Sequence, residues 1–237
     1  MNNSEAVPLK RVTVEGLVIV VSILLAFAID AWWEGRVARN AEVEQLIRVA
    51  QELEANTERL QRKLDTILSS IEGAEEFISW MGPKPVDIPP DVYHGQWPKF
   101  FSIGMYSVHR DAAQDYLATG SAGNVRHVGI RDALSEWHTH ADNLEKQYGL
   151  LRVAHARIND FTEDLVPYLH DVISAGIVNE DLVSKFPYDQ KLMLSNPFLE
   201  SRMATYLIRL EFVSGQASDL LQIQTDLVTL IEDATLQ

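Results

Sequence analysis

Residues 12–33 read VTVEGLVIVVSILLAFAIDAWW, and this apolar run passes without a Gly-Pro break into a charged heptad repeat that reaches Met81. A continuous helix over residues 12–81 would be about 105 Å long at 1.5 Å per residue. We interpret its first part as a transmembrane anchor and the remainder as one helix of a bundle. This stretch decides the fold class, because no other part of the chain carries so strong a pattern.

The apolar run also has features of a signal peptide, which is the rival interpretation. Only residues 16–29 are free of charge, a length typical of a signal-peptide core and short for a membrane span. Lys10 and Arg11 would form its basic start. Ala26-Phe27-Ala28 would supply the small residues of a cleavage site.

We favour a retained anchor, because residues 12–33 span about 33 Å if Glu15 and Asp30 lie at opposite headgroup levels. Trp32 and Trp33 then fall at the far interface, where amphipathic rings are favoured. These four residues are the predicted membrane-interface residues. Basic residues flank the run almost equally, so the orientation follows the usual shape of a signal anchor. We expect a cytoplasmic N-terminus and a periplasmic body at a bacterial inner membrane.

Composition excludes several classes of function. The chain has 20 Lys and Arg against 34 Asp and Glu, a formal charge of −14, so nucleic acid would be repelled. It has no cysteine, which excludes disulfides and a cysteine nucleophile. No G-x-S-x-G, H-E-x-x-H, G-x-G-x-x-G or Walker sequence occurs. We expect no enzymatic activity and no cofactor; the expected partners are membrane lipid and other membrane protein subunits or copies of the chain itself.

Apolar residues at alternating spacings of three and four predict three long amphipathic helices. We therefore predict an all-α fold in which an N-terminal transmembrane helix continues into a long antiparallel bundle of three long helices plus a short one, with coiled-coil-like packing. The expected core positions are Val43, Leu46, Ala50, Leu53, Thr57, Leu60, Leu64, Ile67, Ile71, Ala74, Ile78 and Met81 in the first helix; Ile130, Leu134, Trp137, Ala141, Leu144, Tyr148, Leu151, His155, Ile158, Thr162, Leu165, Leu169 and Val172 in the second; and Leu199, Met203, Tyr206, Leu210, Val213, Ala217, Leu220, Gln224, Leu227, Ile231 and Ala234 in the third.

Start and stop signals divide the chain further. Asn196-Pro197 is a typical helix start, an N-cap residue followed by proline at the first helical position. Pro167 should bend the second helix near Glu163. The predicted segments are a cytoplasmic tail (1–11), the anchor (12–33), the first bundle helix (34–81), a Pro-rich and aromatic tip with a short helix (82–124), the second bundle helix (125–175), a loop (176–196) and the third bundle helix (197–237).

Connectivity predicts an up-down-up order, in which the second helix returns toward the membrane and the third rises again. The tip aromatics either cap the open end of the bundle or dock a partner; they are Tyr93, Trp97, Phe100, Phe101 and Tyr106. The loop before the third helix would then return to the membrane surface through Phe186, Tyr188, Leu192 and Met193. Finding these four at the far end of the bundle would make the order wrong.

The seven histidines do not predict a metal site. His138 and His140 project about 200° apart on a helix, so they cannot share one ion. The pair of Glu136 with His140 and that of His138 with Asp142 each supply two ligands on one helical turn, which is weak evidence. His155 falls on the core stripe and is expected to be a hydrogen-bonded core residue.

Two stretches resemble a bacterial family. EGLVIVV at residues 15–21 with the exit DAWWE at 30–34, and DYLATG at 115–120 followed by IRDAL at 130–134, are similar to uncharacterised bacterial single-pass membrane proteins of a domain-of-unknown-function family. The resemblance implies an N-terminal anchor and a helical extracytoplasmic domain. It implies no established activity and no site residues.

These observations favour a non-catalytic structural or accessory subunit of a larger inner-membrane complex, for example a respiratory or photosynthetic one, or a self-assembling scaffold. The alternative is an extracytoplasmic helical sensor that binds a ligand between its helices and works with a separate output partner. A membrane-tethered hydrolase with an unrecognised site is the third hypothesis.

Overall fold

The structure is a computed structural model that describes residues 9–101, 103–119, 127–167 and 185–236. Over these ranges the chain forms six α-helices and no strand, which confirms the all-α prediction. The helices are α1 (Leu9–Trp80), α2 (Pro90–Phe101), α3 (Asp111–Thr119), α4 (Val128–Leu165), α5 (Gln190–Leu194) and α6 (Pro197–Thr235). The chain divides into two compact units, one ending at Arg48 and the other beginning at Val49.

The first unit contains the N-terminal part of α1. Every large apolar side chain from Leu17 to Trp33 is between 50% and 68% exposed, on all sides of the helix. Among the described residues, α1 is the one helix long and apolar enough to cross a membrane. A signal sequence near an N-terminus has the same properties, so the anchor itself stays a prediction. Most of the predicted tail, residues 1–8, lies outside the described residues.

The second unit is a helical bundle whose second pass is formed by α2, α3 and the segment between them. This pass runs antiparallel to α1. The ring of Tyr93 lies 5.7 Å from the ring of Phe77, whereas further along the pass the backbone of His109 bonds Asn56. Position Gly104, between α2 and α3, has a φ of 47°, a conformation that costs glycine little and strains residues with a Cβ.

Helix α6 also runs antiparallel to α1. Thr57 Oγ1 donates to Gln224 Oε1 at 3.2 Å, and Ser70 is hydrogen-bonded to Tyr206, so α6 descends as α1 rises. Helix α4 pairs antiparallel with α6, because His155 lies 5.9 Å from Tyr206 between ring centroids and Phe161 meets Arg202. The order of the bundle is therefore up, down, up, down.

The predicted up-down-up order is wrong, because residues 90–119 form a pass of their own. Helix α6 consequently begins at the Trp80 end of the bundle, where Gly82 N donates to Leu194 O at 2.9 Å. Tyr188 Oη also donates to Tyr93 Oη there, at 3.1 Å. The loop before α6 thus lies at the end of this unit opposite Val49.

The two later core stripes agree closely with their prediction. In α6 every predicted position is buried except Ala234, which is half-buried, and in α4 the described positions are buried except His155 and Leu165. Asn196 caps α6 as predicted, since its side chain accepts bonds from Phe198 N and Leu199 N. Helix α4 is not bent by Pro167 but ends at Leu165, with Val166 extended as residues before proline prefer. Predicted helix residues 168–175 lie outside the described ranges.

The stripe on α1 is only partly as predicted. Leu46, Leu53, Leu60, Leu64, Ile67, Ile71 and Ala74 are buried, but Val43, Ala50, Thr57, Ile78 and Met81 are half-buried. The additional buried positions are Val49, Asn56, Ser70, Gly73, Phe77 and Trp80. Because α1 packs against α6 on one side and against the second pass on another, its buried face is broader than the two positions per heptad that a coiled coil buries.

The antiparallel pairing of α1 with α6 predicts energetic coupling between Thr57 and Gln224. In a double-mutant cycle with Thr57→Val and Gln224→Leu, we expect about 0.5–1.5 kcal/mol of coupling in the free energy of unfolding, measured by urea denaturation. The control cycle pairs Thr57→Val with Thr229→Val, an exposed threonine, and should give additive effects. Additivity in the first cycle would contradict this helix register.

Candidate functional site

Five side chains from α1, α4 and the second pass form a polar cluster that we call the clamp: Glu52, Asn56, Arg110, Asp142 and Glu145. The clamp holds residues 108–113, where the chain leaves its extended segment and enters α3. Backbone donors in such a segment have no helical partners and need others. In this bundle the partners come from the side chains of α1 and α4.

The α1 half of the clamp bonds the backbone of the second pass. Asn56, which is buried, donates from Nδ2 to His109 O at 2.7 Å and accepts from His109 N at 3.1 Å. Glu52 accepts bonds from Ala112 N and Ala113 N, two donors at the start of α3. A carboxylate at this position also complements the positive end of the helix dipole.

The α4 half of the clamp is ionic. Arg110 bonds Asp142 through Nη1 and lies 2.9 Å from Glu145 Oε2 through Nη2. Glu145 also accepts a bond from Val108 N at 2.8 Å. The hydrogen bond from Arg110 lowers the pKa of Asp142. One arginine therefore ties the second pass to two turns of α4.

Beside the clamp, a cavity of about 420 Å³ opens between α1 and the segment before α3. Its walls are formed by Arg59, Arg62, Lys63, Thr66, Met105, Tyr106, Ser107 and His109. Arg59 joins the cavity to the clamp, because its Nη2 donates to Asn56 Oδ1 at 2.7 Å. The lining combines three cationic side chains with three hydroxyl groups, and we call it the cationic cavity.

The four predicted membrane-interface residues all lie exposed on α1. The rings of Trp32 and Trp33 are 6.4 Å apart, and the Arg36 guanidinium lies 5.7 Å from the Trp32 ring centroid. Amphipathic rings combined with a cation are typical of a helix leaving a bilayer. Whether Glu15, Asp30 and the tryptophans meet a membrane stays a prediction.

Two of the five predicted docking aromatics have described side chains, and neither is exposed. Tyr93 is fully buried, packed against Phe77 and 6.1 Å from Tyr188 between ring centroids. Tyr106 is half-buried with its ring 5.4 Å from that of Tyr148, and burial raises the pKa of both phenols. Tyr93 is therefore a core residue, whereas Tyr106 packs against the core and also lines the cationic cavity. The side chains of Trp97, Phe100 and Phe101 lie outside the described residues, although their backbone belongs to α2.

The predicted membrane-surface residues divide by burial. Met193 is buried and Tyr188 is half-buried, whereas Phe186 and Leu192 are exposed. Leu192 and Met193 belong to α5, which is capped by Asp189, whose side chain accepts a bond from Lys191 N. These residues lie at the Trp80 end of the bundle, and whether they meet a membrane stays a prediction.

The histidines are dispersed. Within the described ranges, no group of three or more His, Asp or Glu side chains converges as metal ligands would. His140 lies 4.0 Å from Glu136, and His138 Nε2 lies 3.4 Å from Gln114 Nε2. His155 is half-buried and stacks near Tyr206, and burial lowers the pKa of its imidazole. Burial likewise lowers the pKa of His138, and the charge of Arg110 adds to this effect.

Removing the arginine of the clamp should destabilise the bundle. Arg110→Gln eliminates two ion pairs and leaves Glu145 partly buried, so we expect a loss of about 1–3 kcal/mol in the free energy of unfolding. Arg152→Gln, an exposed arginine on α4, is the control and should stay within about 0.5 kcal/mol of the wild type. Equal effects would show that the second pass is held without Arg110.

The lowered pKa of His155 predicts weaker folding in mild acid. Its folded pKa lies below the unfolded value of about 6.5, so the stability from the neutral ring is complete above that value and is lost as the pH falls. His155→Phe keeps an aromatic ring against Tyr206 but has no group that takes up a proton. Between pH 7.5 and 5, which is about one unit above to 1.5 units below the unfolded pKa, its free energy of unfolding should fall less than that of the wild type. His140→Gln, an exposed control, should retain the wild-type profile.

Comparison of the chain with protein families, with curated proteins and with solved structures finds no match. The resemblance to bacterial single-pass membrane proteins therefore stays a prediction. The features that bear on function are the exposed apolar part of α1, the surface of the bundle and the cationic cavity.

Proposed function

We propose that the chain is a non-catalytic single-pass membrane protein that serves as a structural or accessory subunit of a larger inner-membrane complex, or as a self-assembling scaffold. The observation that carries this proposal is α1 itself. Its apolar side chains from Leu17 to Trp33 are exposed on every side, and the same helix continues into the bundle. In hydrocarbon this surface is favourable, and the helix satisfies its own backbone hydrogen bonds.

The surface of the bundle supports association with another protein. Ile208 and Phe212, one turn apart on the outside of α6, are 68% and 50% exposed. Leu150 and Val153 are exposed on α4, the helix that pairs with α6. Large exposed apolar side chains on adjacent helices are typical of interaction surfaces. The partner is another membrane protein subunit or a second copy, and the acidic charge disfavours nucleic acid.

The proposed location follows from the chain on either side of the apolar run. Lys10 and Arg11 precede it, and a large acidic body follows it. This arrangement favours an N-terminus in the cytoplasm and a bundle in the periplasm of a bacterial inner membrane. The bundle would then present its clamp and its outer surface to other periplasmic or membrane components.

The direct test is the mass of the particle extracted from membranes in a mild detergent and measured by native mass spectrometry. We expect a complex heavier than one chain, in which this chain retains residues 1–28. Ile208→Ser with Phe212→Ser should reduce the heavier species, because it removes exposed apolar area from α6. Leu68→Ser with Leu230→Ser, two other exposed apolar positions on the bundle, is the matched control and should leave the mass unchanged.

Two outcomes of that measurement would contradict the proposal. A wild-type chain that is monomeric and co-purifies with no other protein would contradict the proposed subunit function. A chain shortened by cleavage after Ala28 would show that the apolar run is a signal peptide.

A second function, ligand binding within a helical sensor domain, is favoured by one observation. The cationic cavity lies between α1 and the second pass and has a volume of about 420 Å³. This volume falls within the range of small-molecule sites. Such a domain would require a separate output partner.

A further inference from the structure

The cationic cavity concentrates positive charge in a strongly acidic chain. Arg59, Arg62, Lys63 and Thr66 follow one another at spacings of three, one and three on α1, so they share one side of the helix. Ser107 and His109 face them from the second pass. The chain as a whole has 14 more acidic than basic residues. The three cations therefore give the surroundings of this cavity a charge opposite in sign to the net charge of the chain.

Little negative charge from the protein offsets these cations. Arg59 is bonded to the neutral amide of Asn56 and to Ala55 O. Arg62 lies 3.9 Å from Glu58, but both side chains are mostly exposed, and such pairs contribute little. Lys63 is half-buried and has no ion-pair partner within the described part of the chain.

The nearest carboxylate behind Tyr106 is already engaged. Glu145 accepts from Val108 N and lies 2.9 Å from Arg110, so its charge is compensated within the clamp. Tyr106 itself brings a buried hydroxyl that bonds no described residue. A buried hydroxyl without a partner is costly.

We propose that the cationic cavity binds a phosphate group, carried either by a free small molecule or by a lipid headgroup. Guanidinium and ammonium groups with hydroxyl donors match the several acceptor oxygens of phosphate. Free phosphate or a phosphate monoester carries nearly two negative charges at neutral pH, which suits three cations better than the single charge of a carboxylate. The phosphodiester of a lipid headgroup carries one charge but offers the same kind of acceptor oxygens. The volume exceeds that of phosphate alone, so the rest of the ligand also has room.

The clamp gives this site a defined geometry. Arg59 bonds Asn56, and Asn56 in turn fixes the backbone of His109, so one wall of the cavity is held relative to the other. A ligand that bridges α1 and Ser107 or His109 would stabilise the second pass against the bundle. This inference deepens the ligand-binding function and does not depend on membrane anchoring or on a protein partner.

The test is calorimetric titration of the full chain in nonionic detergent with inorganic phosphate, at constant ionic strength maintained with sodium chloride. We expect saturable binding that is tighter for phosphate than for acetate. Arg62→Gln with Lys63→Gln should weaken phosphate binding by about tenfold or more, since it removes two charge-assisted contacts. Both residues lie outside the core, and an unchanged thermal unfolding midpoint in the absence of phosphate would verify folding.

The matched control is Lys84→Gln with Arg152→Gln, which removes the same charge from exposed positions away from the cavity and should bind phosphate as the wild type does. A second titration uses mixed micelles containing phosphatidylglycerol. Binding of lipid but not of inorganic phosphate, with the same dependence on Arg62 and Lys63, would assign the phosphate group to a headgroup. The proposal would be overturned if neither probe bound saturably. It would also be overturned if both double variants lost the same amount of affinity for phosphate. Neither result alters the mass expected for the extracted complex, so the two proposals fail separately.

Discussion

Helix α1 has to satisfy two different surroundings along one continuous backbone. Between Leu17 and Trp33 its apolar side chains are exposed all around the helix, and from Val49 onward only one broad face is apolar and buried. Removing apolar surface from water is worth about 25 cal/mol per Å². Each part of α1 is therefore stabilised by its own apolar surroundings. The bundle supplies them for the second part, through α6, α4 and the second pass. We propose that lipid supplies them for the first.

The second pass is the element that completes these surroundings in the bundle, and it depends on polar interactions. Its helices are short, and the segment between them has no helical hydrogen bonds of its own. Asn56 replaces a backbone partner for His109, and Glu52 caps the start of α3. The clamp therefore turns an irregular segment into a packed part of the bundle. It also aligns Ser107 and His109 with the cations on α1, so that the cationic cavity follows from the same contacts.

The sequence predicted α4 and α6 almost residue by residue, because each buries a regular stripe and Asn196-Pro197 marks the start of α6. It predicted α1 less well, since two neighbours widen the buried face to include Asn56 and Phe77. The helix order was wrong because Pro98 and Gly104 obscure the periodicity of residues 90–119, which left only three recognisable passes. Clamp partners such as Asn56 and His109 are far apart in sequence. The one sequence feature that could have indicated the clamp was the polar Asn56 beside the apolar stripe of α1.

We propose that α1 passes from lipid into the bundle. The absence of cysteine allows a clean measurement, in which Ser22→Cys and Ser69→Cys, both exposed on α1, are treated with a maleimide in isolated, unsealed membrane fragments. Maleimide reacts with thiolate, which forms in water and not in hydrocarbon. We expect rapid labelling at position 69 and protection at position 22 until the membrane is dissolved. Equal labelling at both positions in intact membrane would contradict it.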